Sequence, residues 1–196
     1  MLRLNPEEIE IIETSIFVTQ AQAEAVFGNS ISNAQLVDLN SCLQQFDITT
    51  PDRIRHFMAQ IAHESGGLRW LQECADGWEY EFRRALGNVY PRDGPRFKGA
   101  GALQLTGRSN YQQFADCIGD PRVMEGVDYV AAIYPFTSAG FWWQNNNMNR
   151  FIDLGATCRQ VSAKVNGKDP ANGLEDRERC YALACSAIPD AIYAHA

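Results

Sequence analysis

Phe57-Met58-Ala59-Gln60-Ile61-Ala62-His63-Glu64-Ser65-Gly66-Gly67 is the stretch on which the reading of this chain turns. It closes a helix that opens at Thr50-Pro51-Asp52, where a capping hydroxyl, a first-turn proline and an acid suit the N-terminal end. Ile54, Phe57, Met58 and Ile61 fall at helical spacing and form its apolar face. Gly66-Gly67 stops it. Glu64 then stands two turns beyond Phe57, at the border of the apolar stripe and at the helix C-terminus. That is a poor place for negative charge, which suits a general acid. The alternative is an ordinary surface glutamate at a fraying helix end.

Glu73 follows nine residues later, beyond the Gly66-Gly67 break, so a turn can set it across a cleft from Glu64. Two carboxylates flanking a cleft are the minimal equipment for glycoside hydrolysis, although such a pair alone is a weak signal in an acidic chain. Other chemistries fail on spacing. His63-Glu64 does not continue to H-E-x-x-H, because position 67 is glycine. Three histidines are too few for a His-based metal cluster, and no C-x-x-C occurs among six cysteines, so no metal is expected. The cysteines read as reduced, mostly buried thiols. His56 and His63 read as surface or capping groups. Gly99-x-Gly101 lacks the third glycine of a dinucleotide fingerprint.

Outward from this centre the chain reads as short helices separated by turn signals. One starts at Asn5-Pro6-Glu7-Glu8, with Ile9, Ile12 and Ile16 in period. Others cover 33–46, 109–118, 128–145, 156–165 and 174–186. Residues 87–107 hold five glycines and two prolines and read as loop, with a short hairpin near 97–105. In an extended stretch Gln104 and Thr106 share one face, an amide and a hydroxyl suited to a sugar and a water; the alternative is a solvent-facing structural hairpin. Phe141-Trp142-Trp143 reads as core rather than as a sugar platform.

At 196 residues and 45% hydrophobic the chain builds one sizeable core, so 1–196 is expected to be one domain. With 17 basic against 24 acidic residues, its net charge of −7 argues against nucleic acid. No apolar run reaches a membrane span, so no stable membrane insertion is expected. Met1 to Thr14 lacks the basic and apolar blocks of a signal peptide, so synthesis in the cytoplasm is expected.

Taken in order, residues 57–68, Glu73, Phe97-Lys98-Gly99-Ala100-Gly101-Ala102-Leu103-Gln104-Leu105-Thr106-Gly107, Asn110-Tyr111, Val165-Asn166-Gly167 and Asp176-Arg177 resemble glycoside hydrolase family 19, the chitinase and endolysin family. Within it the chain looks most like single-domain endolysins of phages that infect Gram-negative bacteria. The resemblance implies a mainly α, lysozyme-like fold with the short β-hairpin or loop region near 87–107. It implies Glu64 as general acid and Glu73 as the carboxylate that activates water, with inversion. For inverting enzymes the carboxyl groups are expected roughly 6.5–9.5 Å apart. Thr106 matches the residue that helps hold that water. Gln104, Asn110, Tyr111, Asn166 and Arg177 match sugar-binding or site-organising positions. No cofactor is implied.

The expected activity is hydrolysis of β-1,4 bonds in peptidoglycan by a monomer that reaches the cell wall after release or delivery. Arg69, Arg83, Arg84 and Arg96 are candidates to aid contact with that anionic polymer. Two alternatives stay open: a chitinase acting on N-acetylglucosamine polymers, and a catalytically inactive glycan-binding domain. Glu64→Gln is expected to abolish lysis with the melting temperature nearly unchanged.

Overall fold

Three capping boxes start helices in this chain. Thr19, Ser32 and Thr157 each accept from the backbone three residues on, while Gln22, Gln35 and Gln160 reach back to the cap. In the computed structural model, which describes residues 16–190, the helices are α1 (Gln20–Phe27), α2 (Asn33–Gln45), α3 (Pro51–Glu64), α4 (Asp93–Arg96), α5 (Arg108–Ile118), α6 (Val127–Ile133), α7 (Thr137–Asn145), α8 (Met148–Asp153), α9 (Cys158–Asn166) and α10 (Leu174–Ala187). Short 3-10 turns cover Trp78–Tyr80, Arg84–Leu86 and Pro121–Glu125. The expected mainly α, lysozyme-like class is observed. The helix expected from Asn5 lies outside the described residues, apart from Ile16.

α3 is the axis of the helical body. The sequence marks one apolar face, but His56 and Gln60 are buried as well as Ile54, Phe57, Met58 and Ile61. The reason is its neighbours: α1, α8, α9 and α10 all pack on it, α10 most extensively. Phe57 meets Trp143 edge to face at 5.1 Å. Each such fully buried side chain contributes about 1.5–3 kcal/mol. The buried apolar residues form one contiguous core.

The expected helix over 128–145 is two helices. Pro135 has no N–H to continue the first and disfavours helical backbone at Tyr134 (φ −127°, ψ 44°). The freed groups find other partners: the Pro135 carbonyl accepts from Ala102 N–H, and Phe136 N–H donates to buried Asp38.

The expected short hairpin or loop near 97–105 is a loop closed by one antiparallel bridge. Ala100 and Leu105 exchange one pair of hydrogen bonds, at 3.0 and 2.8 Å, and Ala100 pairs in isolation with Gln72. No strand extends from these bridges among the described residues. Gln104 sits in a left-handed turn (φ 54°), so it and Thr106 do not share the face of an extended segment.

The Gly- and Pro-rich segment is ordered by buried polar anchors in place of periodic packing. Asp93 accepts from Val89 N–H, Tyr90 N–H and both sides of the Arg108 guanidinium fork. Burial alone would raise its carboxyl; Arg108 and the two N–H donors instead hold it below the usual range. Asn88 bonds both Tyr80 O and Arg108 N–H.

The cysteine and histidine expectations are partly overturned. All six thiols are free, but Cys74, Cys117 and Cys185 are exposed. His56 is buried, stacked on Tyr181 at 4.3 Å, with Nδ1 unpartnered. No helix among the described residues is long and apolar enough to cross a membrane.

Candidate active site

Glu64 is the last residue of α3, and its environment is set by α10. Arg177 enters from α10 with only 1% of its side chain exposed, while 28% of the Glu64 side chain reaches solvent. Its guanidinium donates to Glu64 Oε1 at 2.5 Å, to Gln60 Oε1 at 2.6 Å and to the Asn172 carbonyl at 3.0 Å. Gln60 in turn donates to Ser162 on α9. The apolar border expected around Glu64 is therefore replaced at contact distance by a buried cation. The residues just before these two pair alongside: His63 Nδ1 lies 2.7 Å from Asp176 Oδ2.

After Glu64 the chain reverses through Gly66 and Gly67, both at positive φ (58° and 69°), conformations that glycine adopts without strain. Trp70 N–H donates back to Ser65 O, and the indole folds over Gly66, where a β-carbon would meet its ring at 2.7 Å. Leu71 O and Glu73 N–H then bond Gly101 N–H and Gly99 O. These bonds fix the second acid on the Gly-rich segment.

Glu73 is held from two sides. Oε1 accepts from Tyr80 OH at 2.8 Å, and Oε2 accepts from Gly99 N–H at 2.9 Å. Burial, together with the hydrogen bond and charge of Glu73, pushes the Tyr80 phenol well above its usual value, so it stays a donor. Gly99 is glycine because of close approach: a β-carbon there would run into Gln104 Oε1 and lie 3.1 Å from Glu73 Oε2. Gln104 Nε2 donates to Gly101 O and Trp70 O. Hydrogen bonds thus link the end of the Glu64 helix through Trp70 to Gln104, while Glu73 is tied separately to Gly99.

Gln104, Thr106 and Asn110 come together on the wall of a cavity of about 410 Å³. Thr106 Oγ1 donates to Gln104 O, and Asn110 Nδ2 donates to Thr106 O. Trp142, Asn145 and Asn146 complete the wall from α7. The sequence reading missed these three. Trp142 was grouped with Phe141 and Trp143, which are indeed buried, and the asparagines looked like a helix end. Tyr80, Gln60 and Asn172 were missed too; only the tertiary contacts give them a role.

Neither Glu64 nor Glu73 lines this cavity, and three further expected residues also sit away from it. Tyr111 is fully buried, its ring against Phe97 and its hydroxyl on Lys98 O, so it cannot touch a substrate; it braces the backbone next to Gly99. Arg177 is likewise enclosed and acts behind Glu64. Asn166, which ends α9, accepts from Asn172 N–H and so fixes the carbonyl that Arg177 binds. Among the described residues no group of His, Cys, Asp and Glu is arranged to hold a metal.

A scan of protein-family models finds no match to this chain. The chain is 27% identical over 139 residues to an endochitinase of Arabidopsis thaliana and 24% identical over 168 residues to chitinase 8 of Oryza sativa subsp. japonica. These alignments cover 69% and 81% of the chain but only 47% and 56% of the relatives, so it spans about half their length. Chitinase C of Streptomyces griseus superposes with a TM-score of 0.70 at 18% identity, over 88% of this chain and 77% of that one. The family 19, class IV chitinase of Zea mays superposes at 0.66 and 19% identity, over 89% and 96% of the two chains. The fold is that of glycoside hydrolase family 19, the family that the ordered motifs resemble.

Proposed function

We propose that the chain is a glycosidase of the endolysin type that hydrolyses β-1,4 bonds between the amino sugars of bacterial peptidoglycan with inversion. What supports this most is the treatment of the two carboxylates. Each is gripped by donors, Glu64 on Oε1 by Arg177 and Glu73 on its two oxygens by Tyr80 and Gly99. In the reaction the protonated form of Glu64, carrying its proton on the oxygen that Arg177 does not hold, gives that proton to the glycosidic oxygen as the C1–O bond breaks. A water attacks C1 from the opposite face, and Glu73 takes its proton. Water and solvent then restore both acids. Gln104 and Thr106, beside Glu73, hold the water and the neighbouring sugar. No cofactor takes part, and the enzyme works as a monomer on the cell wall.

The relatives' names favour a second reading, a chitinase acting on N-acetylglucosamine polymers. Mass spectrometry of products from purified sacculi, run beside chitin hexamer, tests both. New reducing ends on muropeptides support the first reading. Products from chitin alone support the second. Binding without products from either would leave an inactive glycan-binding domain.

A further inference from the structure

A second cavity, about 350 Å³, opens between the ends of α1 and α3 and one face of α10. Glu64, Glu73, Gln104 and Thr106 do not line it; it meets the catalytic side only at Gly66 and Trp70. Two guanidinium groups face it, Arg69 and Arg179. Arg69 makes no hydrogen bond or ion pair among the described residues and sits beside half-exposed Trp70. Arg179 uses Nε and one Nη2 proton on Asp176 Oδ1, at 3.0 and 2.6 Å, and turns Nη2 toward Cys180 Sγ at 3.8 Å, which leaves its Nη1 protons open.

Asp176 is the acidic group on this wall, and it is already engaged. His63 holds one oxygen and Arg179 the other, and these two bonds lower its carboxyl below the ordinary value. The cavity is thus a local excess of positive charge on a chain of net charge −7. Guanidinium forks match carboxylates in shape and charge. Of the two candidate polymers, chitin is uncharged. Peptidoglycan carries a peptide on every second sugar, with free carboxylates along it.

We propose that this cavity binds a carboxylate of the peptide stem while the glycan passes Trp70 toward the acids, so that Arg69 and Arg179 select peptide-bearing strands. The inference rests on the peptidoglycan reading above and names the part of the substrate that the enzyme reads.

Two soluble glycan strands test it: one with its peptides kept, prepared by cutting only the cross-links, and one stripped of peptides by an amidase, whose remaining carboxylate, the lactyl group on the sugar, is converted to its amide. Calorimetry on the full chain, in the cold, reads Kd for each. The wild type is expected to bind the peptide-bearing strand about tenfold more tightly, with the difference shrinking as salt rises. Arg69→Gln loses most of that difference and Arg69→Lys keeps part of it. Equal binding of the two strands by the wild type, or a full preference in Arg69→Gln, overturns the proposal. Reducing ends are counted in parallel. Peptide-dependent binding without new reducing ends would sink hydrolysis and leave the cavity's role intact.

Discussion

Glu64→Gln tests the site as chemistry and as structure at once. Arg177 is enclosed, and the carboxylate that it touches is that of Glu64. Glutamine keeps an oxygen for Nη2 but removes the charge. A hydrogen bond with a charged partner is worth about 1.5–3 kcal/mol, and the bond that glutamine keeps, charged only on the arginine side, falls to the lower end of that range. The difference is about 1–1.5 kcal/mol, and because Glu64 is partly solvated the lower figure applies. The other two Arg177 bonds, to Gln60 and Asn172, survive. At about 2–4 °C per kcal/mol for a chain of this size, the melting temperature should fall by about 2–4 °C. The near-unchanged melting expected from the sequence alone is revised accordingly. Activity should fall by about 10²–10⁴, the usual contribution of a positioned acid. Thermal unfolding by circular dichroism and release of reducing ends from sacculi measure the two effects. A variant that melts with the wild type refutes the idea that Glu64 compensates Arg177, and one that keeps a tenth of the activity removes Glu64 from proton delivery.

Three further predictions concern other parts of the molecule. Tyr80→Phe removes the phenol from Glu73 Oε1 and should lower kcat about tenfold at nearly constant KM, costing about 1 kcal/mol of stability; steady-state kinetics and urea unfolding check this. Gly99→Ala should displace the mobile ends of Gln104 and Glu73, so activity drops sharply while the melting temperature moves little; an active variant would mean that the close approach there is dispensable. Burial raises the Asp38 carboxyl to about 6 from 3.8, against hydrogen bonds from Thr137 and Phe136. Its contribution to stability is therefore full below pH 3.8 and lost as pH rises through about 6, a loss of about 2–3 kcal/mol. Asp38→Asn should lack that loss, so urea unfolding from pH 4 to 7 should show the variant gaining on the wild type. His56, lowered by burial to about 4, titrates in the same window with opposite sign and cancels in the comparison.

Local chemistry sufficed for much of this protein. α3 and its stop are legible in Thr50-Pro51-Asp52, the apolar spacing and Gly66-Gly67, because caps, period and breakers act over a few residues. The candidate acids and the Gln104–Thr106–Asn110 group were legible through their ordered motifs. What lay beyond reach were pairings between residues far apart in sequence. Nothing near Glu64 announces Arg177, 113 positions away, and nothing near Glu73 marks Tyr80 as its donor. Burial of His56 and Gln60 on the supposed polar side of α3 depends on which helices surround it. Pro135 was visible, but its effect is decided where Ala102 and Asp38 receive the groups it frees. Helix propensity and capping are properties of neighbours along the chain; charge compensation, close approach and cavity walls arise from neighbours in space, and only the folded structure supplies those.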